Sequence, residues 1–171
     1  MASLSPVDGL AQLSFLVLGA LERQAAGHDV SLVQTRLLGV LRDRRPSMQE
    51  LAKLLGLDKS SVSGLVDRAE RRGLVARVPS AADRRSVLVS LTDQGRRVAT
   101  SVGAAFEAEV TALLGFLPAA DRARLAGLVS GLLVAHAAAR GVDLFDTLPP
   151  VSGLTGGASG SAGGATGSVG R

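Results

Sequence analysis

Along the first seventy residues the apolar positions recur with a helical period, broken at intervals by polar residues and glycine; between residues 74 and 91 they alternate instead. Leu10, Leu13, Leu16, Val17 and Leu21 share one face of a helix predicted to run to about Gln24. Ser5-Pro6-Val7-Asp8 marks its start, with a serine cap, proline at the first helical position and an acid in the first turn. Val33, Leu37, Leu38 and Leu41 define a second helix over about 32–41. It is expected to end before Arg45-Pro46, because a residue preceding proline is biased away from helical geometry.

Ser47-Met48-Gln49-Glu50 has the form of a capping box, in which serine accepts from the third helical N–H and glutamate reaches back to the cap. A short helix follows to about Leu55 and stops at Gly56. Asp58 is placed to cap the next helix, whose Val62, Leu65, Val66 and Ala69 are spaced i, i+3, i+4, i+7. Arg71 and Arg72 put positive charge on its last turn, and Gly73 stands just past it. Residues 74–78 and 87–91 alternate as strands and pair as a hairpin around the polar segment 79–86. Thr92-Asp93-Gln94 opens a long helix reaching toward Phe116, and a last helix follows Pro118 to near Gly141. From Gly153 onward Gly, Ser, Ala and Thr dominate, a composition too poor in apolar bulk to order itself.

Two helices joined by a glycine turn, the second leading into a hairpin, describe a winged helix-turn-helix. The fold class expected is mainly α with a small β-hairpin wing, flanked by N- and C-terminal helices. Ala52 is expected where the two helices cross closely. Given the buried face of the second helix, a turn of about 100° per residue puts Ser60, Gly64, Asp67 and Arg71 opposite, flanked by Ser61, Ser63 and Arg68, with Lys59 at the start. Serine is a mediocre helix former and glycine costs about 1 kcal/mol relative to alanine. A helix weakened on one face suits close approach to a major groove, with hydroxyls bonding phosphates or base edges near the helix N-terminus. For any single serine, plain solvation of an exposed helix is an equal reading. Arg68 and Arg71 meet the nucleic acid, pair with Asp67 and Glu70, or are only surface charges; a phosphate or base contact is preferred for Arg68. On the hairpin tip Arg84 and Arg85 suit a narrow minor groove, and Asp83 suits orienting an arginine by a charge-assisted bond.

Charge sharpens this picture. Of the 19 Lys and Arg, 14 fall within residues 36–97 against 7 of the 15 acids, a local excess of seven carried by arginine. Such a block points to nucleic acid or an anionic surface. The chain of 171 residues suffices for one domain with a core. It has no cysteine, which excludes disulfides, thiolate metal sites and thiol redox sensing. Two histidines, His28 and His136, make no metal cluster, and no cofactor is expected. No G-x-S-x-G, P-loop or H-E-x-x-H motif is present, so an enzyme is not expected. The N-terminus lacks a basic region before its short apolar run, and the apolar stretch 125–139 is too short to suggest a membrane span. A cytoplasmic protein with no membrane partner is the expectation.

The segments "SMQELAKLLGLDKSSVSGLVDRAERRGLVAR" and "DRRSVLVSLTDQG" resemble the MarR family of bacterial transcriptional regulators over roughly residues 32–98. The diagnostic parts are Gly-Leu-Val after the recognition helix, the wing Asp-Arg-Arg, and Leu91-Thr92 with Gly95. The resemblance implies a homodimer with intertwined terminal helices, binding double-stranded DNA with its recognition helices in successive major grooves of a pseudo-palindrome. It divides the chain into an N-terminal dimerisation helix (1–31), the DNA-binding domain (32–98), C-terminal dimerisation helices (99–141) and a tail (142–171) expected to be disordered. It makes Arg85 the wing arginine of an Asp-x-Arg pattern. Many family members carry a larger polar or basic residue at the position of Gly64, which shifts the expected specificity toward phosphate contacts and DNA shape.

The terminal helices support dimerisation on their own residues: Leu125, Leu128, Leu132 and Leu133 form a stripe, and Gly127 and Gly131 allow close helix approach. The resemblance further implies a repressor released by a small-molecule effector in a cleft between the dimer helices and the DNA-binding lobe. With no Tyr or Trp, such a cleft would draw on Phe15, Phe106 and Phe116, with Arg23, Arg36 or His28 meeting an anion. The competing function is a winged helix used only for protein interaction or dimerisation. That role has no need of the local arginine excess.

Overall fold

The computed structural model describes residues 4–80 and 86–139. The chain runs through α1 (Pro6–Ala26), α2 (Leu32–Asp43), α3 (Met48–Leu55), α4 (Lys59–Arg71), β1 (Val75–Pro79), β2 (Val87–Leu91), α5 (Asp93–Leu114) and α6 (Ala119–Ala139). The expected elements occur in the expected order, and the differences lie at their ends. α2 continues past Leu41 to Asp43, β1 begins at Val75, and α5 stops at Leu114 with Gly115 as its cap. The expectations for Asp83, Arg84, Arg85 and the tail fall outside the described residues.

Local hydrogen bonding explains the boundaries. Ser47 Oγ accepts from the Glu50 N–H at 3.3 Å, and Glu50 accepts from the Ser47 N–H at 2.8 Å, completing the capping box of α3. α2 carries a second box that the sequence reading passed over: Ser31 accepts from the Gln34 N–H, and the Gln34 side chain accepts from the Ser31 N–H at 3.0 Å. α3 ends where Gly56 turns left-handed (φ 66°) and the Leu57 N–H donates to the Ala52 carbonyl at 3.0 Å. α1 ends in the same way through a non-glycine residue, Asp29, at φ 56°.

The core lies inside the helix-turn-helix and the root of the hairpin. Leu37, Leu38 and Leu41 of α2, Leu51 and Leu55 of α3, and Val62, Leu65, Val66 and Ala69 of α4 close on Leu74, Val75, Val89 and Leu91. Ala52 packs against this cluster at the α3–α4 crossing. Burying each large aliphatic side chain contributes about 1.5–3 kcal/mol before the entropy of ordering is counted. β1 and β2 are antiparallel, with Val75 opposite Leu91 and Pro79 opposite Val87. The Val89 N–H donates to the Pro46 carbonyl at 2.9 Å and Ser47 bridges Leu88, so the hairpin is also tied to the entry of α3.

α5 packs on α1 and α2. α6 stands largely apart: of its residues only Ala137 is buried. Leu10 and Leu16 on α1 and Leu128 and Leu132 on α6 are each more than half exposed. The leucine stripe of α6 therefore does not build the core of this protomer. Among the described residues no single helix is long and apolar enough to cross a membrane.

Candidate nucleic-acid interface

α4 buries Val62, Leu65, Val66 and Ala69 completely and turns its other side outward. Lys59, Ser60, Ser61, Arg68 and Arg71 are exposed, and Ser63 and Gly64 are partly so. All seven residues of α4 expected to meet nucleic acid are thus brought onto one accessible surface. Ser60, Ser61, Gly64 and Arg68 line an open cleft of about 350 Å³ together with Leu57, Leu65 and Val33. Val33 and Leu57 are not expected on this face: Val33 belongs to the apolar period of α2, and Leu57 lies in the turn between α3 and α4.

Gly64 has no internal reason to be glycine. A Cβ there would meet only the Arg68 guanidinium, at 3.3 Å, the movable end of a flexible side chain. The propensity lost at this position is therefore left to something outside the described chain.

The N-terminus of α4 is held by Asp58. Its carboxylate accepts from the Ser61 N–H at 2.8 Å and from the hydroxyls of Ser60 and Ser61, each at 2.6 Å. These bonds, the Ser60 hydroxyl foremost, hold the Asp58 carboxyl well below the usual carboxylate range. The hydroxyl hydrogens of Ser60 and Ser61, expected to be free for phosphate or base edges, are spent on this cap, and only their oxygen lone pairs face outward. Among the described residues Ser63 makes no such bond and keeps its hydroxyl uncommitted.

Neither Arg68 nor Arg71 pairs with the acids of α4. Arg77 on β1 takes both: it reaches Asp67 at 2.5 Å, pairs with Glu70, and its N–H donates to Glu70 at 3.2 Å. The Asp67 hydrogen bond is the main cause raising the Arg77 pKa above its ordinary value. Arg77 therefore joins β1 to α4 and offsets one of the two carboxylate charges while bonding both groups, leaving Arg68 and Arg71 outside any ion pair among the described residues. Sequence reasoning missed this role. The signal lay in Asp67 and Glu70 sharing one helix face, with an arginine on the strand that folds back over it.

At the other end of the hairpin, Thr92 donates its hydroxyl to the Gly73 carbonyl at 2.5 Å, and its N–H donates to the Leu74 carbonyl at 3.1 Å. Thr92 also caps α5 by accepting from the Gly95 N–H at 3.0 Å. Helix, wing and α5 thus meet at one joint.

The residues proposed for an effector do not converge. Phe106 is buried, whereas Phe15 and Phe116 are 68% and 87% exposed. A cleft between α1 and α5 is lined by Leu16, Val17, Ala20, Arg23, Glu109, Val110 and Leu113, with Arg23 paired to Glu109 and no phenylalanine present.

Comparison with known proteins agrees with this geometry. Residues 28–86 match the model of the MarR family. The transcriptional repressor NicR of Pseudomonas putida is 35% identical over 99 residues, covering 53% of this chain and 63% of that protein. The chain thus spans less than two thirds of that relative's length. Among solved structures, Rv1404 from Mycobacterium tuberculosis superposes with a TM-score of 0.67 at 26% identity, over 77% of this chain and 94% of the other. A mutant of Staphylococcus aureus MepR bound to an oligodeoxyribonucleotide shares the fold, with a TM-score of 0.57 at 19% identity over 78% and 99% of the two chains. The winged helix and these likenesses make the chain similar to the MarR family over residues 28–86.

Proposed function

We propose that this chain is a DNA-binding transcriptional regulator, a repressor that reads a pseudo-palindromic operator as a homodimer in the cytoplasm and is released by a small-molecule effector. The observation that carries the reading is the outward face of α4. Its basic residues are unpaired among the described residues, its acids are both tied to Arg77, and its glycine has no internal purpose. The name of NicR as a transcriptional repressor and the oligodeoxyribonucleotide on the MepR variant support the same reading.

In this reading α4 lies in the major groove, with Lys59, Arg68 and Arg71 toward phosphates and Ser63 and Gly64 nearest the base edges. Ser60 and Ser61 act as acceptors or exchange Asp58 for the DNA. Arg84 and Arg85 reach the minor groove, oriented by Asp83. A second copy covers the exposed apolar faces of α1 and α6. Gly127 and Gly131 fit this, since a Cβ on either would meet nothing of this protomer within 4 Å.

Selection from a randomised duplex library at about 150 mM salt tests the proposal, because specific and non-specific affinity separate there. The expected result is an inverted repeat with half-sites about one helical turn apart. Weak binding indifferent to sequence would overturn it.

A further inference from the structure

The α1–α2 corner joins the helices outside the winged helix to those within it, and one side chain grips it from the far end of the recognition helix. Arg72, the C-terminal cap of α4, reaches back more than forty residues. Its guanidinium donates to the backbone carbonyls of Asp29 and, at 3.3 Å, His28, and lies 3.4 Å from the Asp29 carboxylate. That carboxylate is almost fully exposed, so the ion pair adds little and the carbonyl bonds carry the contact. A guanidinium suits the place, because its planar fork serves two carbonyls and its charge sits beside the negative ends of both α1 and α4.

The corner is held from its other side by α5. The His28 ring and the Ser101 hydroxyl are 3.0 Å apart, and four residues earlier Gln24 donates to Glu109 at 2.9 Å. Arg72 itself falls on the helical face of Leu65, seven residues before it, and so points away from the reading surface. It is suited to fixing the helix and not to touching DNA.

We propose that Arg72 is a positioning residue, a latch that fixes the recognition helix to the α1–α2 corner and through it to α5, and so sets the operator spacing that a dimer accepts. The inference rests on the reading of the chain as a dimeric DNA reader. Two recognition helices match only one half-site separation if each is rigid against its own dimerisation helices. Every added base pair moves a half-site by about 3.4 Å and a tenth of a turn.

The test takes the operator recovered by selection and varies its half-site separation one base pair at a time. Binding is measured for the full chain, for Arg72→Met and for Ser101→Ala, with the dimer checked by light scattering. The wild type is expected to lose about tenfold per step from its best spacing, the cost of twisting the duplex to fit. Both variants are expected to flatten that loss to two- or threefold, with an unchanged salt slope. Retention of the steep profile by both variants would overturn the latch. So would a uniform loss at every spacing with the salt slope reduced by about one, which would make Arg72 a phosphate contact. If Arg72→Met fails to fold, Ser101→Ala decides by the same profile, since Ser101 is exposed. A wild type that selects no operator overturns the regulatory reading and the latch with it.

Discussion

A Cβ on Gly95 would stand 1.8 Å from the carbonyl oxygen of Leu74. Only glycine lets the first turn of α5 lie against the backbone leaving the recognition helix, where Thr92 bonds the carbonyls of Gly73 and Leu74. Gly95→Ala is expected to force the two apart and lower the unfolding free energy by about 3 kcal/mol. The urea midpoint measures it; an unchanged midpoint would mean that α5 does not dock there.

Arg77→Ala is expected to separate stability from binding. Arg77, Asp67 and Glu70 are all partly exposed, so losing the ion pairs should cost only about 1 kcal/mol in thermal or urea unfolding. Operator affinity should fall further, because two bare carboxylates then confront phosphates. Adding Asp67→Asn and Glu70→Gln should restore most of it. If the triple variant binds as poorly as Arg77→Ala alone, Arg77 acts by some route other than neutralising these acids.

For Gly64→Ala the two readouts should move in opposite directions. Alanine raises helix propensity and its Cβ displaces only the tip of Arg68, so stability should rise by up to about 1 kcal/mol. Operator binding should weaken about tenfold if this face closes on a groove. A more stable variant with undiminished affinity would remove Gly64 from the contact.

Two caps contribute to the response to acid. Glu50 is held below its ordinary range chiefly by the Ser47 N–H, and Asp58 chiefly by the Ser60 hydroxyl. A carboxyl with a depressed folded pKa stabilises the fold above its unfolded value near 4 and loses that contribution as pH falls through the folded value. The advantage of the wild type over Asp58→Ala should therefore be constant from pH 7 to about 5 and shrink only in stronger acid. Urea titrations across that range would show it; a loss between pH 7 and 5 would assign the effect to another group.

Leu132→Asp should split the proposed dimer while leaving the protomer folded, because that side chain is 59% exposed and outside the core. Light scattering reads the mass and circular dichroism the fold. A variant that stays dimeric would move the interface off this part of α6.

What was legible in the chain was local. Ser47 with Glu50, Gly56 and Asp58 announced their helix ends through chemistry confined to three or four residues. Val62, Leu65, Val66 and Ala69 announced the buried side of α4 by period alone. Contacts that depend on how the hairpin folds back, such as Arg77 with Asp67, or that span α1 and α4, such as Arg72 with His28, leave no trace in the apolar period. At Ser60 and Ser61 the bonds to Asp58 are local, and they compete with the external partner suggested by exposure. The three phenylalanines remained apart because Phe15 and Phe116 sit on faces that this protomer leaves bare.

The Arg77 bridge also bears on the ions that accompany binding. A duplex pressed against uncompensated Asp67 and Glu70 would have to bring sodium or magnesium with it, offsetting the cations shed from its own phosphates. Because Arg77 is a permanent counter-ion shared by the two, at most one carboxylate charge is left for such a cation to match. The salt dependence of association should then count the basic residues facing the DNA, with at most one cation taken up to subtract.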